Sequence, residues 1–202
     1  MKKQFLLLSI LLSILTFGYS QTAEEYYSEG KAKFDKEDDK GAIESYSKSI
    51  ALDSTNEKVY NSRGVAKYYL KDYPGAIEDY STAIKLNSKF PEAYFNRGVS
   101  LFQIKEFEMA ISDFSKAIEL KPDYSIAYLN RGHAKMELQN HKEAIFDFDK
   151  CIEINPNNAY AYNVRALAKF SIGDKEGGCQ DFRKSGDMGY DEANDAFQAL
   201  CN

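Results

Sequence analysis

The chain has 202 residues, 28% of them charged and 44% hydrophobic, with 4 Pro and 12 Gly, the proportions of a folded chain and not of a disordered or collagen-like one. A formal net charge of −5 lacks the basic face with which nucleic-acid binders displace counterions, so no nucleic acid is expected as partner. With 2 His and 3 Cys, the ligands for a zinc cluster are too few, and neither metal nor cofactor is expected.

In chain order, the first element predicted is an export signal over residues 1–20. Met1-Lys2-Lys3 is a cationic start, and Phe5 to Phe17 is an apolar run too short for the ~20 residues that cross a bilayer. Gly18-Tyr19-Ser20 then supplies small residues ahead of a cut before Gln21. An uncleaved anchor is the alternative. Removing Lys2 and Lys3 takes the charge from −5 to −7, leaving an acidic exported chain, periplasmic or secreted, with no further membrane insertion expected.

Beyond residue 20 the chain repeats. Gly30, Gly64, Gly98 and Gly132 fall at intervals of 34, as do Ala42, Ala76, Ala110 and Ala144. The aromatics Tyr26, Tyr60, Tyr94, Tyr128 and Tyr162 keep the same interval, and so do Tyr46, Tyr80, Phe114, Phe148 and Phe182. At these residues the sequence resembles the tetratricopeptide repeat (TPR) family. That pattern has an aromatic at position 4, Gly at 8, a small residue at 10, Ala at 20, an aromatic at 24, Ala at 27 and Pro at 32. The third unit matches it with Tyr94, Gly98, Ser100, Ala110, Phe114, Ala117 and Pro122. The units run 23–56, 57–90, 91–124, 125–158 and 159–192. The resemblance implies an all-α, right-handed superhelical solenoid of five helix-turn-helix repeats with a C-terminal capping helix.

The physics of the pattern stands beside the name. Each unit reads as an apolar-periodic helix A, a short polar break such as Lys71-Asp72-Tyr73-Pro74, and a helix B. Gly at 8 and Ala at 20 allow close approach, and the aromatics fill the space beside it. A single pair cannot bury its apolar face, so units stack and their ends need covering. Over 191–202, Asp191 is placed to cap a helix whose stripe is Ala193, Ala196, Phe197, Leu200 and Cys201. The fifth unit departs from the pattern, with Ala166 at 8 and Gly178 at 20.

The charges depart as well. Position 7 is Arg63, Arg97, Arg131 and Arg165, and position 23 is Asp79, Asp113, Asp147 and Asp181; the first unit has Glu29 and Ser45 instead. Their co-occurrence predicts an ion pair between helices A and B of each unit, since the guanidinium fork can hold a carboxylate bidentately. A stripe of Arg for anionic ligands is the alternative. Cys151 takes a position that wants Ala and reads as a buried thiol. Cys179 and Cys201 fall at similar heights on antiparallel helices, which favours a disulfide in an exported chain; two separately buried thiols are the alternative.

No catalytic signature for nucleotide, zinc-protease or serine-hydrolase chemistry occurs, and His133 and His141 lie on different elements, so no enzyme is expected. Asp35, Glu37 and Asp39 mimic a calcium loop, but Lys40 stands where its glycine belongs. In the family, helix A lines a concave face on which peptide segments lie. By that resemblance the partner-binding surface is Tyr27, Asn61, Tyr68, Tyr69, Phe95, Asn96, Phe102, Asn130, His133 and Asn163, although Phe34, Tyr68, Phe102 and Phe170 could equally belong to the core. The family's carboxylate clamp is missing: its first unit would need Lys and Asn where Tyr27/Lys31, Asn61/Val65 or Phe95/Val99 stand, and only Asn96 and Asn130 fit its middle requirement. The expected function is a protein–protein scaffold or adaptor in a bacterial cell envelope. The rivals are a self-associating structural solenoid and a glycan-binding module or enzyme using the groove tyrosines.

Overall fold

The computed structural model describes residues 21–201, so the expected signal peptide and Asn202 lie outside the described residues. The described residues form helices joined by short turns. In order they are α1 (Ala23–Phe34), α2 (Asp39–Leu52), α3 (Glu57–Tyr69), α4 (Tyr73–Leu86), α5 (Pro91–Gln103), α6 (Phe107–Leu120), α7 (Ser125–Glu137), α8 (His141–Ile154), α9 (Ala159–Ser171), α10 (Lys175–Asp187) and α11 (Asp191–Cys201).

Local chemistry sets the ends. Thr22 and Glu25 form a reciprocal capping box at the start of α1. Asp38, Asp72 and Asp174 cap α2, α4 and α10 by accepting from the N–H groups of Gly41, Gly75 and Gly177. Tyr73 and Pro74, expected in the break, already belong to α4, because proline fits the first helical turn, where its missing N–H costs nothing. Each A helix ends on a left-handed residue: Glu37, Lys71, Lys105, Gln139 and Gly173 have φ between 61° and 84°. The next N–H reaches back to close a six-residue loop, as Asp72 to the Lys67 carbonyl at 2.9 Å and Glu106 to Leu101 at 2.9 Å. That motif reverses the chain between helices A and B.

The glycines explain the closeness of each pair. A Cβ built on Gly64 would stand 2.7 Å from the Tyr80 ring, and one on Gly98 would stand 2.8 Å from Phe114. Tyr46, Tyr80, Phe114, Phe148 and Phe182 are accordingly buried, as are Ala42, Ala76, Ala110 and Ala144. Helix B of each unit packs on helix A of the next, and α1, α3, α5 and α7 also approach one another in sequence. The A helices therefore lie on the inside of the curve. Among the described residues, no helix is long and apolar enough to cross a membrane.

α11 covers the last pair. Its Ala193 is buried, and Ala196, Phe197 and Cys201 pack around the cluster of Ala166 and Phe182. Two expectations fail here. Asp191 is the first helical residue and not a cap, and Leu200 is 52% exposed, outside the stripe. The reason is the turn at Gly189 (φ 89°), where the Tyr190 N–H returns to the Ser185 carbonyl at 3.2 Å. α11 is thus folded back by the turn used between helices A and B, not by the extended linker that starts each new unit. Cys179 and Cys201 are joined by a disulfide, with Cα atoms 5.7 Å apart.

Candidate functional site: the ion-pair ladder and the concave groove

Four Arg–Asp forks run through the solenoid. Nε and Nη2 of Arg63 donate to Asp79 at 2.9 and 2.7 Å, and those of Arg97 donate to Asp113 at 2.7 and 2.8 Å. Arg131 holds Asp147 at 3.0 and 2.6 Å, and Arg165 holds Asp181 at 2.8 and 2.6 Å. The remaining nitrogen, Nη1, reaches the preceding unit: Ser47, Ser81 and Ser115 accept at 3.0, 3.1 and 3.0 Å, and Asp149 at 2.7 Å. A second cation joins three of the carboxylates, Lys67 on Asp79, Lys135 on Asp147 and Lys169 on Asp181, at 2.7–2.8 Å. In the third unit, buried Leu101 occupies the lysine's position.

The first unit reverses the polarity, with Glu29 taking Lys33 at 2.7 Å and the Ser45 hydroxyl at 3.2 Å. Tyr60, Tyr94, Tyr128 and Tyr162 back the four guanidinium groups, with ring centroids 5.3–5.8 Å away. The hydrogen bonds that Arg97 donates to Asp113 hold the pKa of its guanidinium above the ordinary arginine range. Every fork is taken by a carboxylate and a neighbouring unit, which leaves none facing an anionic ligand.

The groove lies on the A helices. One cavity of about 320 Å³ is lined by Tyr68, Tyr69, Phe95, Asn96, Val99, Ile126 and Asn130, among others. A second, of about 450 Å³, continues it with Phe102, Gln103, Leu129, His133 and Tyr160. Asn61 lines a separate cavity of about 250 Å³ nearer the N-terminus, beside Lys31, Phe34 and Asp35. Tyr69 is the most open of these aromatics, at 63% exposure, and its ring meets Phe34 edge-on at 5.5 Å.

Two expected groove residues turn inward. Tyr27 packs against Tyr46 at 5.8 Å and shares a hydrogen bond with Ser62 at 3.4 Å. Asn163 is only 8% exposed, so it belongs to the packing and not to a ligand wall. Tyr27 faces the following unit, and so does Asn61 at the same place one unit on, which accepts from Asn96 at 3.0 Å. Two groove residues were missed. Tyr160, 40% exposed, stacks on His133 with centroids 5.6 Å apart and meets Tyr190 edge-on at 5.7 Å. Ile126 is also exposed. Both stand at position 2, where earlier units carry Glu24, Lys58 and Glu92, and that change from charged to apolar was the readable signal.

Burial lowers the pKa of His133, so its ring is neutral near pH 7, and burial raises the phenols of Tyr68 and Tyr160. The His133 ring meets Phe148 and Tyr160. His141 lies apart, as the first residue of α8, against Met136 and Gln139. Among the described residues, no cluster of His, Cys, Asp and Glu could hold a metal ion. Cys151 is buried, its thiol pushed up by desolvation.

Comparison with known proteins gives a consistent answer. The family pattern described as "TPR repeat" matches residues 30–71 and 66–105, and that described as "Tetratricopeptide repeat" matches 91–124 and 125–158. Among solved structures, a crystal structure of MamA is 28% identical, with a TM-score of 0.76 over 82% of this chain and 96% of that one. The 41-end fragment of MamA from Desulfovibrio magneticus RS-1 is 16% identical, with a TM-score of 0.79 over 84% and 96% of the two chains. YrrB, described as a TPR protein with an unusual peptide-binding site, is 18% identical, with a TM-score of 0.75 over 87% and 92%. The latter two show the fold alone. No curated protein sequence matches.

Proposed function

The chain belongs to the tetratricopeptide repeat family, and from that premise we propose that it is a non-catalytic scaffold of the bacterial cell envelope that binds a peptide segment of a partner protein along its A-helix groove. The observation that carries the reading is the run of partly exposed aromatic and amide side chains from Tyr69 to Tyr160, which gives contact area and backbone hydrogen bonding without any reacting group. YrrB, a protein of the same fold described with a peptide-binding site, supports it. The Cys179–Cys201 bond fits an oxidising compartment, as does the apolar run at the start of the chain.

The test is capture from an envelope extract with the whole chain and with a Tyr69→Ala/Tyr160→Ala double variant. Both residues are exposed, so the variant keeps its fold, which its melting curve checks. The expected result is a partner that the double variant loses. If both proteins capture the same set, or if the whole chain instead gains mass with concentration while the groove stays open to peptide, the reading is overturned in favour of self-assembly.

A further inference from the structure

We infer that the groove is built for an uncharged stretch of peptide carrying one large apolar side chain, aromatic or branched aliphatic, which anchors between Phe102, Ile126, His133 and Tyr160. This deepens the peptide-binding reading and rests on it. The cavity there measures about 450 Å³ and is lined by no charged residue. Volumes of this order, ~300–1,000 Å³, are those in which ligands bury most of their surface.

None of the ladder's cations reaches this cavity. Arg63 and Lys67 of α3, Arg131 and Lys135 of α7, and Arg165 and Lys169 of α9 close onto carboxylates within their own helix pairs, and Lys58 and Glu92, the charges at position 2 of α3 and α5, are not among its lining residues. In α5, Arg97 closes onto Asp113, and Leu101 replaces the lysine. His133 adds no charge because burial keeps it neutral. A charged side chain entering the cavity would lose its hydration and meet no counter-charge. Lys31 and Asp35 line only the cavity beside Asn61, toward α1.

What the wall offers instead is stacking and amide chemistry. Tyr160 is held upright between His133 and Tyr190, a flat face presented with little entropy to lose. Asn130 commits its NH2 to the Ile126 carbonyl at 2.8 Å, which leaves its own carbonyl oxygen to accept from a peptide N–H. Recognition through these groups reads shape and apolarity, and it does not read charge.

The test is a random twelve-residue peptide library displayed on phage, selected on the whole chain and counter-selected on an Ile126→Asp variant. Ile126 is exposed, so the substitution alters the wall without emptying the core, and matching melting curves confirm this. The expected winners carry Phe, Trp, Tyr, Leu or Ile at one fixed place, with no charge beside it, and bind Ile126→Asp about tenfold more weakly. Their affinity should change less than about twofold between low and high salt, since no ion pair is screened. Winners that need the groove but carry Asp, Glu, Lys or Arg at the fixed place would overturn this inference and leave the peptide-binding reading standing. A selection with no groove-dependent winners would overturn both.

Discussion

In the second, third and fourth helix pairs the gap lies on helix A and the ring comes from helix B: Gly64 receives Tyr80, Gly98 receives Phe114 and Gly132 receives Phe148. In the fifth pair the glycine has moved to helix B. Gly178 on α10 receives Phe170 from α9, while Ala166 fills the site on α9 where the other pairs have glycine. Phe182 is still fully buried and lies 5.5 Å from Phe170, the ring that fills the gap. What the repeat requires, then, is a ring facing a gap, on either helix. The face of this last pair is covered by α11, which the Cys179–Cys201 bond holds in place.

The inner and last pairs also differ in how their ion pairs are backed, and this gives the largest expected effect. Asp147 is 0% exposed and is shared by Arg131 and Lys135. Asp147→Ala strands two half-buried cations and should cost ~3–5 kcal/mol in urea unfolding, the usual penalty for one partner removed from a buried pair. Asp181→Ala in the last pair should cost less, because Arg165 keeps a second carboxylate, Asp149, at 2.7 Å. Equal losses would mean that the second carboxylate adds nothing and that the two pairs are energetically alike.

Next in size is the staple. The Cys179–Cys201 bond spans 22 residues, and the chain-entropy model assigns such a loop ~3 kcal/mol. α11 has 11 residues, below the ~12–15 at which an isolated helix holds in water, so it depends on that bond and on Ala193, Phe197 and Tyr190 for its place. Cys179→Ser/Cys201→Ser should therefore lower amide protection in α10 and α11 while leaving α3 to α8 as they were, because stacked repeats feel only their neighbours. Uniform loss of protection along the chain would show that the cap stabilises the solenoid as a whole and that the last pair is not a separate unit of stability.

These contrasts were unequally visible in the sequence. The interval of 34 exposed the fold because a repeat needs the same gap, ring and turn at the same place in every unit. The forks were visible because Arg and Asp stand sixteen residues apart in four units. The same spacing run backwards from each Arg reaches Ser47, Ser81, Ser115 and Asp149, a link between units that was equally present and went unread. The lysines closing on the same carboxylates were harder, since nothing in a sequence says that one Asp serves two cations. In the groove, Tyr68, Phe95 and Asn130 were found from their helical positions. Asn163 is only 8% exposed, a burial set by packing that its place in the repeat does not encode, whereas Tyr160 was legible in the change from charged to apolar at position 2.

The smallest contrast concerns the turn between helices A and B. The fifth pair uses Gly173 at the left-handed position (φ 84°), while the inner pairs place Lys71, Lys105 and Gln139 there at φ 61–64°. For an L-residue that conformation crowds Cβ against the backbone at ~1–2 kcal/mol, and glycine escapes the crowding but gives up more freedom on folding. The balance favours glycine at this helix end, so Lys105→Gly should raise stability by ~0.5–1 kcal/mol, and Gly173→Ala should lower it by a similar amount. Because each inner turn is an independent copy, Lys71→Gly and Lys105→Gly together should add in the melting temperature. If Lys105→Gly loses stability instead, the lysine side chain holds the turn by a contact worth more than the crowding, and the inner turns are not equivalent to the last.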